Sequence, residues 1–236
     1  RAGELLIKSY RAERRHTLAF VVPTGGSLAS AATLTHSKID VVLATIGVLA
    51  WVACHQGDYV TVVAPGQDGP SVARPSYRDT QIEHMLAGLD AGCRLEAPDP
   101  DLVELLDLTA SGLRRRCIVV VVLDDWDPRP ADIDALASLC ARHEVLAIEV
   151  SDLDLTDPAL AAVPTRDQAS GQPVPGFVAR DRQVREQAVA ARQERARRRG
   201  HTLDRLGIIH ESVADVDDSI AAIVRLLERM RHASRH

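Results

Sequence analysis

Cys117-Ile118-Val119-Val120-Val121-Val122-Leu123 runs without a charge and is followed at once by Asp124-Asp125-Trp126-Asp127-Pro128. A nearly continuous β-branched run of this length reads as a strand buried on both faces, as in a parallel sheet covered by helices. The acids then lie at its carboxyl end, where open α/β sheets place their ligands. Arg114-Arg115-Arg116 leads into the run. Beyond the acids, residues 131–142 carry Ile133, Leu136 and Leu139 at helical spacing, and 145–150 is a second apolar strand with Asp152 and Asp154 after it.

The same alternation extends in both directions. Toward the N-terminus, 17–22 is a β-prone run that stops at Pro23, and 38–56 reads as a long helix ended by Gly57. Residues 59–64 form a strand stopped by Pro65-Gly66, and 72–74 a further short one. A helix over 79–90 carries Ile82, Met85, Leu86 and Leu89, with Asp79 as its N-cap, and an acid-fronted helix runs from Asp99 or Asp101 through 108. Toward the C-terminus, 181–199 is a charged helix, 208–209 a short strand and 216–231 a closing amphipathic helix. The expected fold is α/β: a doubly wound, mostly parallel sheet flanked by helices. One domain over 1–236 is expected. Residues 1–16 are its N-terminal edge extension with a strand at 5–10, and 156–180 is a long connection rich in Pro, Ala and polar residues.

Composition narrows the function. At 46% hydrophobic and 26% charged, the 236 residues can bury a proper core. Aromatics are only 3%, so a surface that stacks bases or sugars is not expected, and the net charge of −5 argues against nucleic acid as a partner. Cys54, Cys93, Cys117 and Cys140 show no CxxC pairing and read as reduced thiols of a cytoplasmic protein. The uncharged run 41–54 is shorter than a membrane span and reads as a core helix, and no signal peptide is expected within these residues.

Few motifs carry chemistry. The loop Pro23-Thr24-Gly25-Gly26-Ser27 lies between a strand and a helix and could offer amides to a phosphate, but it matches neither GxxxxGK[ST] nor GxGxxG. The nine histidines show no zinc spacing, and Ser27 lies in no GxSxG elbow. Residues 180–199 hold eight Arg and three acids, a surface for an acidic partner or an anionic membrane, or a solvated face laced with ion pairs.

The order of several pieces resembles the bacterial domain-of-unknown-function 58 family: Gly3-Glu4-Leu5, Ala12-Glu13-Arg14-Arg15, the strand at 18–22, Gln56-Gly57-Asp58 before a strand, and Arg114-Arg115-Arg116 before an apolar strand that ends in acids. That family is similar to von Willebrand factor type A domains, which implies a Rossmann-like sheet. Membrane helices usually precede this region in the family. The resemblance therefore makes Arg1-Ala2-Gly3 the tail of an upstream motif and implies a longer, membrane-anchored protein. Type A domains hold Mg²⁺ through Asp-x-Ser-x-Ser, a Thr and a later Asp. Strand by strand, Pro23 stands where the Asp is expected and Gly25 where the first Ser is expected. Ser27 survives, with Thr80 and Asp124 as the remaining matches. The motif is degenerate, and no tight metal or other cofactor is expected.

The resemblance implies a non-enzymatic interaction module, partnered by a MoxR-type AAA+ ATPase in protein maturation or cell-envelope processes. Its docking surface would be the loops 23–27, 76–80 and 124–128, with Pro23, Thr24, Gly25, Gly26, Ser27, Thr80, Asp124 and Asp125 in contact. Two alternatives stand beside it: a divalent-cation-dependent ligand-binding domain using Ser27, Thr80 and Asp124, and a phosphate-handling α/β enzyme using the Gly-Gly-Ser loop.

Overall fold

The computed structural model describes residues 15–66 and 68–233. The expected edge strand at 5–10 lies outside them. The elements in chain order are β1 (Thr17–Val21), α1 (Gly26–Ala29), α2 (Lys38–His55), β2 (Tyr59–Gly66), β3 (Gly69–Val72), α3 (Asp79–Gly92), α4 (Leu102–Gly112), β4 (Ile118–Leu123), α5 (Pro130–Cys140) and β5 (Glu144–Val150). Then come β6 (Thr165–Arg166), β7 (Pro173–Val174), α6 (Phe177–Arg180), α7 (Arg182–Arg205), β8 (Ile209–Val213) and α8 (Ser219–Ala233).

Six strands form one sheet in the order β3-β2-β1-β4-β5-β8. All pairs are parallel except β2–β3. This is the expected doubly wound sheet, and the direction of winding reverses between β1 and β4. The run that reads as doubly buried is so: Val119, Val120, Val121 and Val122 are wholly buried. Successive side chains point to opposite faces, so this one strand feeds two cores. Val120 and Val122 join Phe20, Val62 and Ile148 beneath α2, α3 and α8. Val119, Val121 and Leu123 join Ala19, Val63 and Ala147 beneath α4, α5 and Leu203 of α7.

Several boundaries move for physical reasons. The turn expected at Pro65-Gly66 is displaced: β2 continues through it and folds back at Gly69, whose φ of +115° is the left-handed region that favours glycine. The strand expected at 72–74 is therefore β3, ending at Val72. Asp79 is not the N-cap of α3 but its first residue, after Arg78. Asp101 does cap α4, accepting from the Val103 amide at 3.2 Å. β8 runs well past 208–209, because His210 and Glu211 find partners that let polar residues sit in a strand. The connection 156–180 is not structureless: it holds a 3₁₀ turn at Pro158–Ala162, the β6–β7 hairpin and α6.

α2 also exceeds the uncharged run. Among the described residues it is the one helix long and apolar enough to cross a membrane, with half of it buried inside the domain. Its start is set by a capping box in which Ser37 and Asp40 exchange side-chain-to-backbone hydrogen bonds.

Candidate functional site at the carboxyl end of the sheet

β1 and β4 are parallel neighbours that end side by side, and the connections leaving them diverge because the winding reverses here. That divergence opens a crevice of about 550 Å³ whose lining includes Pro23, Ser27, Asp99, Asp124, Trp126 and Arg129. The β1 loop packs beneath residues 95–99. The Gly26 amide donates to the Ala97 carbonyl at 3.1 Å, and the Ser27 amide donates to Asp99 Oδ1 at 2.7 Å. A Cβ on Gly25 would lie 2.9 Å from the Pro98 carbonyl, and one on Gly26 would lie 2.8 Å from the carbonyls of both Ala97 and Leu95. The two glycines thus serve close backbone approach. Thr24, Gly25 and Gly26 are buried, so of the five loop residues expected to dock a partner, only Pro23 and Ser27 are partly exposed. The amides of Gly26 and Ser27 donate to internal acceptors, so neither is turned toward a phosphate in the crevice.

Ser27 and Asp124 meet as expected: Ser27 Oγ donates to Asp124 Oδ2. Two residues that the motif comparison did not include complete the cluster. Lys38, the first residue of α2, has only 2% of its surface exposed. Its Nζ lies 3.4 Å from both Ser27 Oγ and Asp124 Oδ2. It also forms an ion pair with Asp152, just beyond β5. Lys38 Nζ thus donates into the cluster that Ser27 and Asp124 form.

Thr80 is elsewhere. β3 carries the chain back along β2, and Ser76 pairs with Val60 near the amino end of that strand. The segment 76–80 therefore lies at the opposite end of the sheet from Ser27 and Asp124, and Thr80 belongs neither to a metal set nor to the docking face. Asp125 is also withdrawn. It accepts from Arg199 Nη1 at 2.6 Å and from Arg195 Nε at 3.2 Å, which ties β4 to α7. Behind it, Glu149 accepts from Arg199 Nε at 3.0 Å and pairs with His210 at 3.0 Å. Burial pushes the Glu149 carboxyl up, but His210 and Arg199 outweigh that and hold it below its usual range; the bond to Glu149 raises His210. The basic stretch 180–199 carries the expected exposed ion pairs, Arg182–Glu186 and Arg197–Glu194, and in addition Arg192, Arg195 and Arg199 reach across to Asp154, Asp125 and Glu149.

The outer wall of the crevice is a fork. Arg129 spans Asp132 at 2.6 Å and Asp101 at 2.9 Å, and Trp126 Nε1 donates to Asp132 at 3.1 Å. Burial would raise Asp132, but the Arg129 and Trp126 bonds overcome it and hold the carboxyl low. The four cysteines are unpaired, and burial raises each thiol, Cys93 to about 11. None is a ready nucleophile at neutral pH.

The Mg²⁺ implied by the type A resemblance does not fit these residues. Pro23 and Gly25 bring no side-chain oxygen, Thr80 is at the far end, and a buried ammonium already sits against Ser27 and Asp124. Among the described residues, no group of three or more His, Cys, Asp or Glu side chains is placed to hold a metal ion.

The fold has relatives among solved structures. An aerotolerance-related membrane protein from Bacteroides fragilis NCTC 9343 aligns at 13% identity with a TM-score of 0.52, covering 91% of this chain and 99% of that one. The pilus adhesin SpaC from Lactobacillus rhamnosus GG aligns at 10% identity with a TM-score of 0.57, covering 94% of this chain and 31% of that one. A von Willebrand factor type A protein from Catenulispora acidiphila aligns more loosely, at 15% identity and a TM-score of 0.42 over 66% of this chain and 40% of that one. At such identities the first two likenesses speak to the fold alone. No curated protein matches by sequence. The sequence pattern of one family matches residues 1–198, and the chain therefore belongs to the family described as protein of unknown function DUF58.

Proposed function

We propose that this chain is a non-enzymatic protein-interaction module that docks a partner through the carboxyl-end crevice without a metal ion. The observation that carries this reading is the crevice itself: it stands at the winding reversal and is walled by Trp126 and the Arg129 fork, with Ser27 Oγ donating to Asp124 at its floor. Carboxylates outnumber cations in its lining, with Asp99, Asp101, Asp124 and Asp132 against Arg129, so the surface suits a partner that presents basic side chains. The partner proposed is a MoxR-type AAA+ ATPase, from the family resemblance. The location proposed is the cytoplasmic part of a membrane-anchored protein. The likeness to a protein described as a membrane protein supports that location.

Co-purification with a MoxR-type ATPase from the same cells tests the reading. Trp126→Ala should weaken capture by about tenfold or more, the scale of losing an aromatic anchor. Raising the salt should slow association. Capture that is indifferent to Trp126→Ala would place the docking surface elsewhere.

A further inference from the structure

The chain contains 28 Lys and Arg residues, of which only Lys8 and Lys38 are lysines. Arginine is this protein's general-purpose cation: it makes the bidentate fork at Asp132 and the inward pairs of α7. Lys38 stands where the geometry calls for a compact point charge instead of a planar fork. The side chain of Lys38 is 3% exposed, and its Nζ faces one hydroxyl and two carboxylates: Ser27 Oγ at 3.4 Å, Asp124 Oδ2 at 3.4 Å and Asp152 Oδ1. These oxygens come from the loops that follow β1, β4 and β5, three adjacent strands. A hard divalent ion is ordinarily gathered by oxygens of this kind. Lys38 is held there by its own helix, since α2 begins at the Ser37–Asp40 capping box and the Lys38 amide donates to the Ser30 carbonyl at 2.8 Å.

We propose that the Lys38 ammonium is the resident cation of this site: it ties the three loops together in the place of a divalent ion and makes the site independent of one. A second cation among the same oxygens would face like-charge repulsion at contact distance. A divalent ion becomes competitive only when the ammonium is removed, which leaves Asp124 and Asp152 without their shared cation. The inference deepens the docking proposal by making its surface metal-independent. It is tested with the ion alone, so its failure is separable from failure to capture the partner.

Thermal unfolding of the unaltered protein is followed during titration with MgCl₂ or MnCl₂, against KCl at matched ionic strength. The divalent salts should shift the midpoint no more than KCl does. Lys38→Ala should melt lower without added divalent ion. Its midpoint should rise saturably, by roughly 5–10 °C once the ion is about a hundredfold above its Kd. A variant that folds only with Mg²⁺ or Mn²⁺ present is the same rescue in stronger form. Saturable divalent stabilisation of the unaltered protein overturns the proposal. So does a Lys38→Ala protein that ignores divalent ions, or that stays unfolded with and without them.

Discussion

Gly26 shows how one missing Cβ can hold a site together. Its neighbours at 2.8 Å are backbone carbonyls, which cannot swing aside as a flexible side chain would. Gly26→Ala should therefore cost about 1–3 kcal/mol through overpacking, and not through φ strain. Urea denaturation measures this, and an unchanged midpoint would mean that the 95–99 loop moves away freely. The sequence makes Gly25 and Gly26 visible, but as turn formers. Their partners Leu95, Ala97 and Pro98 lie some seventy residues further on, so the reason for the glycines is not local. Lys38 is similar. Its place at the start of an apolar helix is plain in the sequence, and its rarity is a usable signal. Its acceptors Asp124 and Asp152 are far along the chain, and only folding brings them near.

α7 is the element whose composition misleads most. Its mean polarity makes it look like a solvated or partner-seeking helix, yet it is fastened to the domain by buried charge. Arg199 and Glu149 are both at least nine-tenths buried and pair with each other, Arg199 reaching on to Asp125 and Glu149 to His210. Removing one member of such a network leaves the others uncompensated, typically costing about 3–5 kcal/mol. The network also has a pH window. Glu149 has a lowered pKa, so its contribution is full above its ordinary value of 4.5 and is lost as pH falls through the folded value. His210 has a raised pKa, so its contribution is full below its ordinary value of 6.5 and is lost as pH rises through the folded value. The fastening of α7 should thus be strongest between those two limits. Amide exchange of α7 against pH checks this, and His210→Ala should abolish the upper limb of the profile. An upper limb that survives in that variant would assign it to another group.

Among the described residues one sheet divides the apolar interior into two clusters, with Ile46 of α2 in one and Leu105 of α4 in the other. Ile46→Ala and Leu105→Ala should each cost about 2–5 kcal/mol. The double variant should lose their sum to within about 0.5 kcal/mol, since the sites share no neighbours. Chemical denaturation gives all three values, and strong non-additivity would mean that the sheet transmits strain between its faces. The family resemblance put Ser27 beside Asp124; the sequence by itself determined the principal strands and helices and the parallel sheet. Those follow from local periodicity and from the rule that successive parallel strands end on the same side. Only the tertiary structure decided that Thr80 leaves the site, that Asp125 is claimed by α7, and that Lys38, Asp99 and Asp152 enter it. The reason is directional. A single antiparallel return along β2 sends the loop at 76–80 to the far end of the sheet, and no local pattern records which distant loop fills the space it vacates.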